Sequence, residues 1–558
     1  MFSSAFSSVL ITAYAIAGST LGIPSGISST HSENLEGMAQ MLRGDVRVIV
    51  MGDSFSTPNW SRVPTASLLA WPLHKVSAIG GGAPQNSQLI RALAECSPVE
   101  SLSWVDDQRY TIMRSSQNQQ YFALPVRSIR EIFTDDSFST VYSDRLFQFR
   151  FDDSVMQTGY SGEFSEGGDT LLFRLLYWSS PNPTTESLEE VHIKDLNTLT
   201  ATINLCNQAR SYWHLNENPN KQTRNCVPLQ INATGLDFEA INDVDNMLRI
   251  RIAATEPLTG TNKYFHPAGG IYYHADEAGL RIPGFYYSYM ADDGWTLEGF
   301  GNNSVPTSEM DKSFSEEQFT HWLDVTTLDR NQPVVFYWYF NVEWLHYADV
   351  KVAMENMIAQ AELSSERVGI STRQHLLVMP HMVKFGSLGN SAEAHGWVQE
   401  ARDAMRDIAS EQPNVSFASI YDATDGMLFN GSDAGIDWLE NHGFTTFECG
   451  TSVYDLAHGD SQGDLLDAAE LHPWGNYSST FFAAVLGNII RDAGCPADIV
   501  EDGTIDIKDL LQIIGEYGGS GEGDINNDEV VNIHDILLLV QSWGDCWPIQ
   551  APFVETSS

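Results

Sequence analysis

The sequence predicts a three-layer α/β fold in which helices cover both faces of a parallel β-sheet. Residues 46–51 form a mostly apolar, β-branched run that stops at Gly52, which indicates a buried strand ending in a turn. Beyond Pro283, further strand-like runs alternate with segments of helix length. This alternation is typical of parallel sheets that are buried on both faces.

The individual elements follow from the same patterns. A strand over residues 76–79 runs into three glycines, and a predicted helix over 88–95 follows. In the second half of the chain we predict strands over 295–300, 334–340, 376–379 and 415–420, and helices over 316–323, 347–361 and 392–409. Because ligands bind at the C-terminal ends of strands in such sheets, Ser54, Gly82 and Asn341 are expected at one edge.

Residues 100–263 interrupt the α/β pattern. They contain short β-rich runs, such as 171–178 and 247–253, and turn-forming clusters separate these runs. We therefore predict an inserted β-rich domain over 100–263, between two pieces of the α/β domain at 44–99 and 264–492.

The composition limits the classes of partner. The 558 residues include 30 basic and 73 acidic residues, so the net charge is −43, and such a surface repels nucleic acid and anionic membranes. Residues 1–22 have the apolar character of a secretory signal, although they lack its basic beginning. No other run approaches the ~20 apolar residues of a membrane span. We expect no membrane span, no nucleic-acid partner and a secreted or cell-surface protein.

Six cysteines are consistent with disulfide bonds in an exported protein. Their connectivity cannot be deduced from the sequence, because six cysteines allow 15 full pairings. Two pairs each flank one compact segment and are favoured for that reason: Cys206 with Cys226, and Cys495 with Cys546.

Ser54 and His472 are candidates for a nucleophile and its base. Ser54 follows the predicted strand within a Gly-Asp-Ser turn, and His472 stands on a loop before the apolar, helix-like run 481–490. A serine hydroxyl becomes a nucleophile when a histidine can take its proton.

The Gly-Asp-Ser turn and the late Leu-His-Pro block, in this order, resemble the blocks of the GDSL/SGNH hydrolase family. The resemblance implies a flavodoxin-like parallel sheet and a serine esterase. It also implies an oxyanion hole built from a glycine N–H and an asparagine side chain. Asn341, at the end of the strand over 334–340, matches the asparagine. Gly82 matches the glycine, and Gly301 is the alternative.

The acid partner of His472 departs from the family pattern. The family places an aspartate three residues before the histidine, where this chain has Ala469. Asp467 and Glu470 are the nearest acids, and a backbone carbonyl would also serve. We predict Asp467, because its shorter side chain loses less entropy when it is held in place. His458 has an aspartate at the family spacing but lacks the following proline and helix, so we favour His472.

The C-terminal part contains a duplicated acidic pattern. Residues 498–509 and 524–535 lie 26 positions apart, and an apolar helix-like run follows each. Oxygen side chains at loop positions 1, 3, 5, 9 and 12 suit calcium. The predicted ligands are Asp498, Asp502, Asp506 and Asp509 in the first loop, and Asp524, Asn526, Asp528, Asn532 and Asp535 in the second.

These repeats, over residues 493–548, resemble a type I dockerin, which implies a small helical, EF-hand-like tail, structural calcium and a cohesin-like partner. The sequence as a whole is therefore interpreted as a secreted SGNH-type serine esterase that deacylates a polysaccharide such as an acetylated glycan. A lipase or thioesterase of the same fold, or a non-catalytic glycan-binding scaffold, is the alternative.

Overall fold

The computed structural model describes part of the chain. The described residues are 32–42, 45–53, 55, 76–80, 131–133, 145–150, 170–179, 187–193, 199–204, 230–231, 236–239, 247–253, 263–275, 278, 280–281, 283, 285–291, 297, 319–320, 323–324, 326–342, 345–445, 447–449, 452–459, 462–473, 475–500, 504–521, 523–526 and 530–545. The predicted signal segment lies outside these residues.

The described strands are as follows, in chain order: β1 (Ser32–Glu33), β2 (Arg47–Gly52), β3 (Val76–Gly80), β4 (Glu131–Phe133), β5 (Arg145–Arg150), β6 (Thr170–Ser179), β7 (Ser187–Ile193), β8 (Leu199–Asn204), β9 (Gln230–Ile231), β10 (Leu236–Glu239), β11 (Met247–Ala253), β12 (Lys263–Ala275), β13 (Phe285–Ala291), β14 (Val334–Tyr339), β15 (Arg373–Met379), β16 (Val415–Ser419), β17 (Phe447–Cys449), β18 (Ser452–Tyr454), β19 (Thr504–Ile505) and β20 (Gly544–Asp545).

The described helices are α1 (Glu36–Leu42), α2 (Tyr347–Val368), α3 (Ala392–Glu411), α4 (Ile420–Ala423), α5 (Asp433–Asn441), α6 (Gly475–Gly494), α7 (Ile507–Glu516) and α8 (Ile533–Gln541). A short 3₁₀ turn covers Gly386–Leu388. Within the described residues, no helix combines the length and the apolar character that a membrane crossing requires.

The main sheet has the strand order β1-β16-β15-β14-β2-β13-β3-β12-β6-β10. The six strands from β16 to β3 are parallel to one another, whereas β1 at one end and the strands beyond β3 pair antiparallel. The chain thus has the parallel α/β sheet that the sequence predicts. The central strand β2 lies between β13 and β14, so their C-terminal ends meet at one edge.

Helices cover the parallel part of the sheet. Strands β2, β14 and β16 are buried along their whole length, as parallel strands are when both faces are covered. Helices α2 and α3 pack against each other and against β15, and α1 and α6 form a second helical pair. The helical periodicity of α3 explains this packing, because its buried residues recur every three or four positions.

Arg47 fixes β2 against β13. This side chain is only 1% exposed at the start of β2. Its guanidinium donates to Ser288 Oγ of β13 at 3.1 Å, and to the hydroxyls of Thr327 at 3.0 Å and Thr326 at 2.7 Å. It also lies 4.7 Å from the ring centroid of Tyr286. A buried cation is costly unless its donors are satisfied, so this network specifies how the two strands align.

The region between β3 and β13 is β-rich, in agreement with the sequence. Strands β12, β6 and β10 extend the main sheet by antiparallel pairing, and β5, β11, β7 and β8 form a separate four-stranded sheet. The hydrogen bonds from β3 to β12 join this region directly to the α/β sheet. Whether it is a domain in its own right stays a prediction.

The predicted elements of the second half are observed, with one correction. Strands β14, β15 and β16 and helices α2 and α3 begin within three residues of their predicted starts. The prediction of a strand over 295–300 is wrong at Leu297, which is helical and buried. A short apolar run does not distinguish a strand from a buried helical turn.

The C-terminal helices form a small unit with its own core. Helices α7 and α8 pack together, and β19 pairs with β20. Their buried apolar side chains are Ala497, Ile505, Ile513, Val531 and Leu539, beside the disulfide-bonded Cys495. Cys546, the predicted partner of Cys495, lies outside the described residues, as do Cys206 and Cys226.

Candidate active site

The C-terminal ends of the central strands place Asn341 beside the turn that follows β2. β2 ends at Gly52, which is level with Tyr339 of β14 and with Ala291 of β13. Asn341 follows β14 by two residues. Ser54 itself lies outside the described residues, but its chain neighbours Asp53 and Phe55 are described and buried.

The Asp53 carboxylate connects the turn after β2 to the end of β14. Its Oδ1 accepts the backbone N–H of Phe55 at 2.9 Å, and its Oδ2 accepts the backbone N–H of Asn341 at 2.8 Å. Asp53 is only 3% exposed; its bond from Phe55 is buried, and its bond from Asn341 is partly buried. The segment that contains Ser54 and the segment that begins at Asn341 are therefore held together by one side chain.

His472 and Asp467 form a close pair on one loop. The distance between His472 Nδ1 and Asp467 Oδ2 is 3.0 Å, and each side chain is 12% exposed. A bridge between Leu466 and Pro473 closes this loop, which we call the base loop (residues 466–473). Within it, the N–H of Asp467 donates to the carbonyl of His472 at 2.7 Å. The five-residue spacing between acid and histidine is thus bridged by a short hairpin.

The second oxygen of Asp467 holds the loop from inside. Asp467 Oδ1 accepts the N–H groups of Ala469 at 3.1 Å and Leu471 at 3.0 Å. Burial by itself would raise the pKa of Asp467, but the Leu471 N–H and the His472 ring outweigh burial and lower it. The carboxylate therefore stays ionised and can fix the tautomer of His472.

The competing residues have other partners. Glu470 bonds the ammonium of Lys384 and the amide of Asn430, and these hydrogen bonds lower the pKa of Glu470. His458 is 56% exposed and pairs with Glu440 at 2.7 Å. Neither contact involves His472.

Phe55, the residue after Ser54, packs against the base loop. Its ring centroid lies 5.3 Å from that of His472 and 5.5 Å from that of His381. His381, two residues beyond β15, is a buried residue that the sequence analysis missed. A single histidine after a strand is a weak signal, and only its position in the fold distinguishes it from the others.

The two candidate oxyanion glycines, Gly82 and Gly301, both lie outside the described residues. The sheet order nevertheless separates the strands that precede them. β3, which leads to Gly82, is two positions from β2, whereas β13, which leads toward Gly301, is its direct neighbour. Gly82 lies two residues beyond β3 and Gly301 ten residues beyond β13, so the choice between the two glycines stays a prediction.

The predicted calcium loops repeat one hydrogen-bonding pattern. In the first loop, Asp509 accepts the N–H groups of Val500 and Asp506. In the second, Asp535 accepts those of Asn526 and Asn532. Asp509 and Asp535 are fully buried.

The burial of the Asp509 and Asp535 carboxylates is compatible with a bound cation. A buried carboxylate is costly without positive charge nearby, and each oxygen keeps a second lone pair for a metal. No cluster of three or more His, Cys, Asp or Glu side chains among the described residues is arranged to hold a metal ion. Two predicted ligands, Asp502 and Asp528, lie outside the described residues. Asp498 and Asp524, the first predicted ligands of the two loops, are among the described residues.

Comparisons with known proteins find only distant similarity. No protein-family model matches the chain, and no curated protein matches it. One similar solved structure is a peptidoglycan O-acetylesterase, with 12% identity and a TM-score of 0.38, covering 82% of this chain and 94% of that one.

Two further solved structures are similar at lower scores. The protein YxiM from Bacillus subtilis has 10% identity and a TM-score of 0.26, over 65% of this chain and 88% of that one. A carbohydrate esterase family 2 enzyme with a carbohydrate-binding domain, from Corynascus thermopiles (Myceliophthora fergusii), has 10% identity and a TM-score of 0.23, over 58% and 92%.

The pKa of His381 predicts a specific acid sensitivity. Burial lowers the pKa of His381 to about 3, whereas an unfolded histidine titrates near ~6.5. Below that pH the unfolded state binds a proton that the folded state does not, so this residue reduces stability as the pH falls from ~6.5 to ~3. Any destabilisation by His381→Gln at pH 7 should shrink by about 2 kcal/mol at pH 4.5, measured by urea denaturation.

The control is Ile408→Val, a buried position on α3 that carries no titratable group. Its difference from the wild type should be the same at both pH values, because the substitution changes no proton binding. A His381→Gln difference that does not change with pH would contradict the prediction.

Proposed function

We propose that the chain is an SGNH-type serine ester hydrolase in which Ser54 is the nucleophile, His472 the base and Asp467 the acid that orients the base. One observation carries the proposal. The paired His472 and Asp467 lie against Phe55, whose peptide bond joins it to Ser54. An imidazole with Nδ1 on a carboxylate next to a serine-bearing turn is the arrangement that nucleophilic catalysis requires.

The arrangement supports a two-step hydrolysis. Ser54 Oγ attacks the ester carbonyl carbon while His472 Nε2 takes the hydroxyl proton. The C–O bond to the alcohol then breaks, and His472 returns the proton to that oxygen, which leaves an acyl-serine. Water attacks the acyl carbon, its proton passes through His472 back to Ser54, and the carboxylic acid leaves. Asp467 stabilises the imidazolium during both steps.

The oxyanion in this mechanism needs preorganised donors. We assign the side-chain amide of Asn341, the Ser54 N–H and a glycine N–H, each worth ~3 kcal/mol of transition-state stabilisation. The Asp53 hydrogen bond to the Asn341 backbone supports the first assignment, because it fixes Asn341 beside the serine turn. For the glycine we assign Gly82, with Gly301 as the alternative.

The substrate that we propose is an acetyl ester on a polysaccharide, and the setting is extracellular. The tail supports this setting, since its two repeats share one hydrogen-bonding pattern around Asp509 and Asp535. In this proposal the predicted loop residues would hold structural calcium, which would supply positive charge to these buried carboxylates. A lipase or thioesterase would use the same site residues with longer acyl chains.

The tail also supports a protein partner of the cohesin kind. Most of the large apolar side chains that are exposed among the described residues belong to it, and exposed apolar clusters mark interaction sites. They include Leu511 and Ile514 on α7, Leu537 and Val540 on α8, and Tyr517 and Trp543 just beyond these helices.

Ser54→Ala tests the proposed reaction. Without the hydroxyl no acyl-enzyme can form, so hydrolysis of p-nitrophenyl acetate and of acetylated xylan should fall by at least about 10³-fold. The melting temperature should stay near that of the wild type. Ser410→Ala, at an exposed position of α3, is the matched control and should keep full activity.

The same assays separate the alternatives. Full activity in Ser54→Ala would contradict the mechanism, and a wild type inactive on every ester would favour the scaffold. Preference for long acyl chains over acetyl groups would identify a lipase-like enzyme instead.

Calcium binding is tested on the full chain by calorimetric titration. An ion that binds only the folded form raises stability, so a chelator should lower the melting temperature of the tail. A variant with both Asp509→Asn and Asp535→Asn should lose the binding heat and the effect of the chelator. Asp433→Asn, in the first turn of α5, is the control and should retain both. A wild type without binding heat or chelator effect would show that the tail folds without calcium.

A further inference from the structure

His381 contacts both Phe55 and the base loop, although the proposed mechanism does not use it. Only 2% of the residue is exposed. Its ring is stacked between Phe55, at 5.5 Å between centroids, and Phe482 of α6, at 4.3 Å. It is therefore packed between the residue that follows Ser54 and the helix that follows His472.

The polar contact of His381 is with the base loop. Its Nε2 lies 3.1 Å from the carbonyl oxygen of Leu471, the residue before His472. A carbonyl can only accept, so Nε2 must carry the proton. The other nitrogen, Nδ1, is buried without a hydrogen-bond partner among the described residues, and it is therefore the unprotonated one. Burial lowers the pKa of His381 to about 3, which keeps this tautomer neutral at physiological pH.

A second contact supports the same loop from the same segment. The backbone N–H of Lys384 donates to the carbonyl of Glu470 at 3.0 Å. Glu470 has φ of 55°, a left-handed conformation that is unfavourable for a residue with a side chain and needs support from its surroundings. Two successive carbonyls, those of Glu470 and Leu471, are thus held from the segment that follows β15.

We propose that His381 is a positioning residue, whose Nε2–H holds the Leu471 carbonyl and so keeps the His472–Asp467 pair beside the serine turn. This inference rests on the proposed function of His472 as the base. It goes beyond that function, because it assigns the alignment of the base to a side chain outside its own loop. A loss of this hydrogen bond should loosen the base loop while the sheet stays folded.

Two variants separate the hydrogen bond from the stacking. His381→Phe keeps a ring between Phe55 and Phe482 but removes the donor. His381→Gln removes the ring but keeps an N–H at the same number of bonds from Cβ. The kcat for p-nitrophenyl acetate should fall about 100-fold in His381→Phe at a nearly unchanged KM, since small misplacements of a catalytic group have this effect. His381→Gln should recover most of that loss.

Amide hydrogen exchange of residues 467–473, followed by mass spectrometry, provides a readout that does not depend on activity. The N–H groups of Asp467, Ala469, Glu470 and Leu471 are bonded within the loop and exchange only when it opens. Exchange should be about tenfold faster in His381→Phe and near wild type in His381→Gln. If the wild type hydrolyses no ester, the proposed function fails, and the exchange result alone decides the role of His381.

His375→Phe is the matched control. This second buried histidine belongs to β15 and stacks on Phe336, but it bonds Trp338 and Glu362 rather than the base loop. Its replacement should lower the melting temperature without changing kcat or the exchange of 467–473. The inference is overturned if His381→Phe keeps the kcat and the exchange rate of the wild type, whatever the result for His381→Gln.

Discussion

The site depends on the two hydrogen bonds that the Asp53 carboxylate accepts. One comes from Phe55 at 2.9 Å and is buried, and the other comes from Asn341 at 2.8 Å and is partly buried. Hydrogen bonds to an ionised group are worth about 1.5–3 kcal/mol each, so this carboxylate fixes the turn after β2 to the end of β14. The aspartate of the Gly-Asp-Ser turn is thus the structural connection between the proposed nucleophile and the proposed oxyanion-hole asparagine.

The base loop likewise uses an aspartate carboxylate to hold two parts of the site together. Its acid lies five residues before His472, and the chain shortens this distance by a hairpin closed at Leu466 and Pro473. Glu470 takes the left-handed conformation at the tip and is held by Lys384 and Asn430. Because Glu470 bonds Lys384 and Asn430, the Asp467 carboxylate can bond His472.

The predictable features were those with local signals. The apolar run at 46–51 and the periodicity of α3 indicate their elements directly. For His472 the sequence left Asp467, Glu470 and a backbone carbonyl open as partners, because it does not show how the loop before the histidine folds. The insertion of β13 between β2 and β3 could not be predicted, because strand order depends on contacts between distant segments. For the same reason the contact of His381 with the base loop could not be predicted. The helical turn at Leu297 was missed because a short apolar run does not distinguish a strand from a helix.

Whether Asp467 orients His472 for catalysis is tested most directly by comparing kcat in Asp467→Asn and Glu470→Gln. Asp467→Asn should lower kcat by about 10⁴-fold with KM nearly unchanged, because the neutral amide no longer fixes the tautomer of His472. Glu470→Gln should stay within about tenfold of the wild type, since Glu470 supports the loop without contacting His472. A near-normal kcat in Asp467→Asn, with a large loss in Glu470→Gln, would show that Glu470 rather than Asp467 orients His472.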